Sequence, residues 1–586
     1  MRSRSGKPMA CKGGLLSLPN TGGGGMDTVK RIGQIHFAEI LLAVSLFLIG
    51  TFHEYLSCAL SAAMLVWLAV RAVREKKLRV FLNLTGLSVC CMALFYALSA
   101  FWAVDNGMAF IGFLKFLPVP LYLLVLMQRH TADDVIASLP YIAAAMAVLS
   151  AIGMQIPLFE SFFSVAGRLA GFFQYPNTFA LFLLVAELTA VAKEKHTPVD
   201  IVVIVLLLLG LLYTGSRTVF VLAVLSNGVL IFTGKHRRVK IGVFAGVLLV
   251  VAGGAVWLAL SGQVSAFSRF LTISLTESTF VGRLLYFRDA LPLVLEHPFG
   301  LGYLGYYYLQ SSVQTGVYSV MYVHNDFLQL LLDVGWLPFA LFAAAVFKSI
   351  FFGKKPFYKR VVLCVMALHS CFDFDLQFIA MFFVMLLFMD HREGKECILT
   401  ARGGLAAYSA GLAAVCLYGG VFLSLSRFGK YAAAQAIYPW NTQNEIRLLA
   451  AEEDLDTAVG TADDILERNE YVILAYSVKA RQAYSQGNFA KLIDYKRLIF
   501  EKAPFGYEEY EEYGYMLING IALYQQAGDT DSAQICRQEL LWVKDRVHTA
   551  GSRLSRLGGM IDDQPVTQLP EDMEAYIAAL EGTDAK

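Results

Sequence analysis

The residues best suited to chemistry lie in a long polar stretch, residues 261–335, between apolar runs. His324 is followed by Asn325 and Asp326, and either can cap the helix predicted by the apolar periodicity from Phe327 onward. The field at a helix N-terminus favours a neutral imidazole. We therefore predict that His324 can take a proton from an incoming hydroxyl group. The alternative is a loop histidine that only caps or packs.

Several arginines are predicted on the same side of the chain as His324. Arg168 lies in an outer loop, Arg217 at the outer end of an apolar run, and Arg283 in the polar stretch itself. Arginine is suited to bidentate contacts with phosphate. A single arginine at the end of a span is more often a membrane-surface anchor. The set as a whole predicts an anionic ligand.

Residues 281–291 have apolar side chains at helical spacing, namely Leu284, Phe287 and Leu291. Arg283 and Arg288 flank this stripe, which predicts a helix lying on the membrane surface. Proline lacks a backbone N–H and clashes with the preceding turn, so Pro292 is expected to limit this helix.

A second polar group occurs where two short apolar runs meet, at His369, Asp373 and Asp375. These side chains are expected either to line the same cavity as His324 or to form a hydrated turn. The nine cysteines include no Cys-x-x-Cys, and neither a zinc spacing, a phosphate-binding loop nor a convincing acidic metal cluster is present. We therefore expect no metal and no cofactor.

The chain that must position these residues is predominantly apolar. It has 586 residues, of which 57% are hydrophobic and 16% charged, against about 25% charged in an average soluble domain. A spanning helix needs about 20 apolar residues. The candidate spans are 35–52, 55–73, 80–101, 109–127, 135–154, 178–193, 199–214, 217–233, 240–260, 336–353, 361–373, 375–389 and 404–424. The sequence thus predicts an all-α polytopic membrane protein of about 12–13 transmembrane helices with a large outer loop, 261–335.

Lysine and arginine accumulate in cytoplasmic loops. The basic loops 71–79, 235–240 and 354–360 fall on one side if the N-terminus is cytoplasmic. Loop 261–335 is then extracytoplasmic in a bacterial cytoplasmic membrane. Because the basic residues are those that membrane topology requires, they do not indicate nucleic-acid binding.

The tail, residues 430–586, is predicted to be a separate extracytoplasmic domain. It has 15 Lys and Arg against 26 Asp and Glu, a net charge of −11, and it reads as helical. Gly487 and Gly528 each follow a small or aromatic helix end and precede a new helix, as in tetratricopeptide (TPR) repeats. An ordinary helical bundle is the alternative. The side of the membrane on which the tail lies depends on the number of spans before it.

Residues 1–30 form an N-terminal tail without the apolar core of a signal peptide. A run of glycines, Gly22 to Gly25, precedes Met26. Such a run can be a translated ribosome-binding site, so Met26 is expected to be the true start.

The ordered motifs over residues 31–425 resemble the bacterial O-antigen ligase and O-antigen polymerase family of polytopic glycosyltransferases. The match comprises Arg168 and Gly171 with Pro176-Asn177, then Ser216-Arg217, Arg283, the Pro298 to Gly302 stretch, and His324-Asn325 with Gly335 after them.

The resemblance implies an undecaprenyl-diphosphate-linked oligosaccharide as donor. Arg217 and Arg283 would grip the diphosphate, and His324 would activate or position the acceptor hydroxyl. Arg168, Asn177, Arg288, Asn325, His369 and Asp373 would support them. The reaction would be metal-independent and would release undecaprenyl diphosphate.

Two departures from the family bear on the acceptor. Phe287 stands where the family is expected to have a tryptophan, and the span 404–424 and the tail are additions that resemble some Gram-positive members. An exopolysaccharide, wall or protein acceptor therefore fits better than lipid A. The tail could hold the glycan or other polysaccharide-assembly proteins. The alternative functions are a lipid-linked glycan flippase and a non-catalytic scaffold of an export complex.

Overall fold

The computed structural model describes residues 36–129, 132–233, 241–242, 245–246, 253, 278–400 and 403–584. The expected start at Met26, the basic loop 235–240 and all but five residues of the predicted span 240–260 lie outside the described residues. The described chain is helical almost throughout, which confirms the predicted all-α class.

The helices of the membrane part are numbered here in chain order. They are α1 (Phe37–Phe47), α2 (Glu54–Glu75), α3 (Leu84–Leu98), α4 (Asn106–Phe116), α5 (Pro118–Gln128), α6 (Ala132–Gly153), α7 (Pro157–Phe163), α8 (Pro176–Val191), α9 (Pro198–Thr214), α10 (Arg217–Thr233), α11 (Ser278–Glu296), α12 (Gly305–Val313), α13 (Asp326–Val334), α14 (Trp336–Phe351), α15 (Phe357–Ser370), α16 (Ile379–Phe388) and α17 (Gly403–Arg427).

The tail and the short strands complete the fold. The tail comprises α18 (Tyr431–Ile437), α19 (Thr442–Ala451), α20 (Leu455–Arg468), α21 (Ile473–Ser485), α22 (Phe489–Lys502), α23 (Tyr507–Ala527), α24 (Thr530–His548) and α25 (Glu571–Asp584). Strands β1 (Lys77–Leu82) and β4 (Lys395–Thr400) form an antiparallel pair, and β2 (Ser164–Val165) pairs with β3 (Arg168–Leu169).

The predicted spans within the described residues are largely helical, but the span 109–127 comprises two consecutive helices, α4 and α5, and the span 80–101 begins in strand β1. Five segments of the described chain are long and apolar enough to cross a membrane, namely Glu54–Glu75, Leu84–Phe101, Asn106–Gln128, Ala132–Gly153 and Gly403–Arg427. Six further apolar helices are shorter. The protein is therefore a multi-pass membrane protein.

The basic loops within the described residues meet at one end of the helix bundle, which we call the basic end. There the Arg79 backbone N–H donates to the Gln128 side chain at 3.0 Å, and Arg392 donates to the Met127 carbonyl at 3.0 Å. Lys359 pairs with Asp133. The basic loops 71–79 and 354–360 therefore lie at the same end of the bundle, while the side of the membrane that this end faces stays a prediction.

The outer stretch, residues 278–335, lies at the opposite end and is largely helical. The prediction that Pro292 limits the first helix is wrong, because α11 continues through Pro292 to Glu296. Leu293 and Val294 beyond the proline are buried in an apolar cluster with Ala290. Tertiary burial on both sides of the proline outweighs its local helix-breaking tendency.

Helices α15 and α16 form the predicted short hairpin. They have 14 and 10 residues, so at 1.5 Å per residue they are about 21 and 15 Å long, against about 30 Å for a bilayer core. All ten residues of α16 are buried. The turn between the two helices, residues 371–378, is thereby held inside the bundle at the outer end.

The tail contains two helix–turn–helix pairs, α21–α22 and α23–α24. At the first turn Gly487 has φ 69°, and the backbone N–H of Asn488 donates to the Ala483 carbonyl at 2.8 Å. At the second, Gly528 has φ 74°, and Asp529 donates to Tyr524 at 2.9 Å. Both are Schellman caps whose last residue also caps the next helix. The predicted turns are present, while assignment to TPR repeats stays a prediction.

The tail packs directly against the outer stretch. The Ser555 N–H donates to the Thr315 carbonyl at 2.9 Å, and Ile561 packs with Val281 and Leu285 of α11. The tail therefore lies at the same end of the bundle as His324. That this side is extracytoplasmic stays a prediction.

Candidate active site

The buried carboxylate of Asp373, in the α15–α16 turn, is the centre of the outer-end polar cluster. Its Oδ1 faces the Tyr175 hydroxyl at 2.8 Å, the Phe374 N–H at 3.0 Å and His324 Nδ1 at 3.3 Å, and its Oδ2 faces Asn177 Nδ2 at 2.9 Å and an Arg283 Nη at 3.1 Å. Residues predicted from four distant parts of the sequence therefore meet at a single carboxylate.

Asp373 and Arg283 fix each other's charge. Burial raises the pKa of the Asp373 carboxyl, but the Arg283 guanidinium and the His324 contact outweigh it and hold that pKa below its ordinary value. Burial lowers the pKa of Arg283, and the charge of Asp373 more than restores it. Both groups are therefore ionised at neutral pH, and a base at His324 faces a permanent negative charge.

His324 is held in an unusual backbone conformation. Its φ is 55°, in the left-handed region, where a residue with a Cβ is strained and persists only when its surroundings fix it. Its ring lies edge-on to Phe374 at 4.9 Å and 6.1 Å from Tyr286. Asn325 caps α13 by accepting from the Leu328 N–H at 3.0 Å, as predicted.

The orientation of the His324 ring leaves one nitrogen for other chemistry. Nδ1 faces Asp373, so the tautomer with hydrogen on Nδ1 has a lone pair on Nε2. The side chain is 21% exposed, whereas Asp373 has no exposure. A buried carboxylate behind a partly exposed histidine is an arrangement suited to a general base.

Arg283 lies in the second turn of α11. The neighbouring residues Val281 and Leu285 are buried against the tail and against Tyr318, which fixes the helix. The guanidinium is 17% exposed and one nitrogen faces Asp373. Among the described residues Arg283 hydrogen-bonds only to Asp373, which leaves the other donors of its planar fork for a ligand.

Arg168 links the cluster to the start of α10. Arg168 donates to the Asn177 side-chain oxygen at 2.7 Å and to the Thr214 carbonyl at 2.8 Å. Arg217, three residues after Thr214, is the first residue of α10 and is partly buried. The β2–β3 hairpin therefore joins Asn177, and through it Asp373, to the segment that carries Arg217.

Two of the predicted supporting residues lie elsewhere. Arg288 is exposed on another face of α11, where it contacts the Thr315 hydroxyl at 3.3 Å. His369 is 1% exposed and faces the Asp375 carboxylate at 2.5 Å; Asp375 also accepts from Thr178 at 2.7 Å. The His369 pair is a buried layer next to the cluster rather than part of its accessible surface.

The sequence reading missed two sets of residues. Tyr175 donates to Asp373, and no sequence signal singles it out. Lys115 is buried in α4 and donates to the Tyr322 hydroxyl at 2.9 Å and to Tyr303 at 3.3 Å. A lysine inside the apolar run 109–127 is a recognised sign of function or structure at membrane depth, and that signal could have found it.

The cluster therefore combines fixed positive charge with a candidate base at the outer end of the bundle. Such a site can hold an anionic leaving group and deprotonate a hydroxyl beside it. Among the described residues, no group of three or more His, Cys, Asp or Glu side chains could hold a metal ion.

Part of the chain that carries these residues matches a known protein family. Residues 202–343 match the family model described as O-antigen ligase. This segment contains Arg217, Arg283 and His324, and it confirms the resemblance to the O-antigen ligase and polymerase family. No protein with curated annotation matches the chain.

Proposed function

We propose that this protein is a glycosyltransferase of the cytoplasmic membrane of a bacterium. It moves a glycan from undecaprenyl diphosphate to an acceptor hydroxyl at the outer face and so builds a cell-surface polysaccharide. The observation that carries the proposal is the cluster of Asp373 with His324 and Arg283, two of whose members lie in the matched segment 202–343.

Arg283 and Arg217 bind the donor diphosphate. The bond that breaks joins the anomeric carbon of the donor sugar to the oxygen of the diphosphate. The bonding electrons leave with undecaprenyl diphosphate, so negative charge grows on that oxygen in the transition state. Preorganised guanidinium groups stabilise this charge better than water does. Asp373 keeps Arg283 ionised and in place.

His324 accepts the acceptor's proton on Nε2 as the acceptor oxygen attacks the anomeric carbon. The imidazolium that forms is stabilised by Asp373, which faces Nδ1 at 3.3 Å. Asp373 itself touches neither substrate and is a positioning residue. Asn177 donates to the other oxygen of Asp373, and Arg168 in turn donates to the Asn177 side-chain oxygen.

The acceptor is a glycan, a wall polymer or a protein. Polymerisation and ligation use the same donor chemistry, so the cluster supports either. The tail contacts the outer stretch beside Arg283, which suits a domain that receives glycan or binds other polysaccharide-assembly proteins.

The deciding experiment uses the full chain in lipid nanodiscs with the host's undecaprenyl-diphosphate-linked oligosaccharide. Glycan size and released undecaprenyl diphosphate are followed for wild type, His324→Ala and, as a control from the same outer stretch, His297→Ala. A growing ladder with lipid release, lost only in His324→Ala, supports a polymerase. Release only after a second acceptor is added supports a ligase. Equal turnover in His324→Ala would refute the proposed base.

We also propose that the reaction needs no divalent ion, because arginine meets the charge of the leaving group. A chelator should leave turnover unchanged. Complete loss that a single divalent ion restores would contradict this part of the mechanism.

A further inference from the structure

The tail and the outer stretch together line a cavity of about 440 Å³ that is open to solvent and that the proposed reaction does not use. It is lined by Ser312, Tyr471, Arg497, Phe500, Glu501, Lys502, Trp542, Arg546 and Arg553. Ser312 belongs to α12, between Arg283 and His324 in sequence, and the others come from the tail. Ligand sites are commonly about 300–1,000 Å³, so this cavity is large enough for a small molecule or a short segment of a polymer.

The charge of the cavity is opposite to that of the domain that forms it. The tail carries 15 basic and 26 acidic residues, yet the lining has four cations and a single carboxylate, Glu501. Arg497 pairs with Glu539 and Lys502 with Glu470. Within the described chain, Arg546 and Arg553 form no ion pair with a carboxylate.

Aromatic rings hold several of these cations in position. The guanidinium carbons of Arg497 and Arg546 each lie 5.6 Å from the centre of the Trp542 ring. The Lys502 ammonium lies 4.3 Å from the Tyr471 ring. Cation–π contacts of this kind restrict a flexible side chain without using its N–H donors, one of which Arg546 shares with the Tyr510 side chain. The cavity is therefore preorganised for an anion that accepts several hydrogen bonds.

We propose that this cavity binds a carboxylate- or phosphate-bearing sugar unit of a glycan, at a site separate from the donor diphosphate site. The anionic class follows from Arg546 and Arg553. That a glycan carries the anion rests on the proposed function. Because α12 contributes to the wall, an acidic glycan held here would be anchored next to the outer stretch that carries Arg283 and His324.

The test measures binding of fluorescently labelled hexagalacturonate to the full chain in phosphatidylcholine nanodiscs. Neutral maltohexaose is the comparison ligand. The variant is the double substitution Arg546→Gln with Arg553→Gln. Its matched control is Lys491→Gln with Arg481→Gln, which removes two tail cations that do not line the cavity. Thermal unfolding of each variant shows whether it is folded.

We expect wild type and the control to bind hexagalacturonate with similar affinity, the cavity variant to bind at least tenfold more weakly, and maltohexaose not to compete. A second variant, Arg546→Lys with Arg553→Lys, should restore binding only in part, because lysine lacks the planar fork. Equal binding by wild type and the glutamine variant would overturn the proposal.

Two further arms identify the source of the anion. If hexaglutamate binds as tightly as hexagalacturonate, the ligand is an acidic peptide and the proposal is overturned. If nanodiscs that contain phosphatidylglycerol block hexagalacturonate binding, the ligand is a lipid headgroup and the proposal is likewise overturned. His324→Ala should bind hexagalacturonate as wild type does. Wild-type protein that binds hexagalacturonate but shows no glycan transfer would contradict the proposed function alone. Wild-type protein that transfers glycan but does not bind hexagalacturonate would contradict the cavity proposal alone.

Discussion

A single buried carboxylate serves both the candidate base and the candidate anion-binding arginine. Asp373 contacts His324 with one oxygen and Arg283 with the other, so the two groups are fixed relative to each other. Because both side chains contact the same carboxylate, Asp373 sets the distance between the His324 imidazole and the Arg283 guanidinium. A change at Asp373 should disturb both.

Asp373→Asn should lower turnover strongly and destabilise the fold by about 3 kcal/mol, because it leaves Arg283 without its buried counter-charge. The pKa of Asp373 is lowered in the folded protein, so its contribution to stability is complete above the unfolded value of about 3.9 and is lost as pH falls below it. The thermal-unfolding difference between wild type and variant should be constant from pH 8 to 5 and shrink in stronger acid. A difference that grows below pH 4 would contradict this assignment.

Arg283 and Arg288 form a matched pair on α11. Arg283→Ala should reduce donor turnover at least 100-fold, and Arg283→Lys should recover little of it, because lysine cannot make a bidentate phosphate contact. Arg288→Ala removes the same charge from an exposed position and should change turnover less than threefold. Initial rates of lipid release at varied donor concentration would decide. Equal losses in both alanine variants would indicate a general charge effect.

At the scale of elements, Gly335 sets the angle between α13 and α14. Its φ is 79° and ψ −169°, a region open essentially only to glycine. A Cβ there would overlap the Pro298 carbonyl oxygen and the Phe299 backbone. The outer stretch that carries His324 is therefore packed tightly onto the start of α14.

Gly335→Ala should lower the thermal-unfolding midpoint far more than Gly429→Ala. Gly429 also has a left-handed φ, 76°, but nothing lies within 4 Å of its added Cβ, so it reports backbone strain alone, about 1–2 kcal/mol. The additional decrease of the unfolding midpoint in Gly335→Ala, relative to Gly429→Ala, measures the steric overlap of the added Cβ with the Pro298–Phe299 backbone. Equal losses would mean that the α13–α14 junction can relax.

The length of each apolar run predicts that a helix is present, but it does not predict which side of the helix faces the site. Arg283 and Arg288 both flank the stripe in sequence, and five residues at 3.6 per turn separate them by about 140° around the helix. Both cannot face one carboxylate, and the structure places Arg288 outside the cluster. The continuation of α11 past Pro292 was not predictable either, because it depends on burial of Leu293 and Val294 by distant segments.

The identity of the site residues was partly predictable, whereas their pairing was not. Arg283, His324 and Asp373 stand out because charged and imidazole groups are costly near a membrane. That Asp373 joins the other two depends on how α15 and α16 fold back into the bundle, which no local pattern encodes. Tyr175, a tyrosine before Pro176, looks like a surface aromatic until its contact with Asp373 is known.

At the scale of the whole molecule, the tail supports the helix that presents Arg283. Ile561 packs with Val281 and Leu285, and Gly558 lies against the Thr315–Gly316 backbone. Asn469 adds a contact at a second point, donating to Asp105 at 3.0 Å. The tail is therefore packed against both the outer stretch and the start of α4, and is not joined to the membrane part only through the chain.

Gly558→Val should undock this part of the tail, because a Cβ at Gly558 would overlap the Thr315 carbonyl oxygen. We expect faster proteolysis between residues 549 and 570 and at least tenfold lower turnover. Gly559→Val is the control, since nothing lies within 4 Å of its added Cβ. Limited proteolysis followed by mass spectrometry would compare them. Similar cleavage in both variants would show that the contact does not hold the tail.

The pairing of β1 with β4 at the basic end has a consequence for biogenesis. Lys77 pairs with Thr400, and α17, which follows β4, packs along α2, which precedes β1. A chain made from its N-terminus therefore has an unpaired strand edge and an uncovered α2 until residues 395–427 have been synthesised. Premature termination anywhere in the membrane part would leave both surfaces open. Only a chain that includes the last span can cover both surfaces.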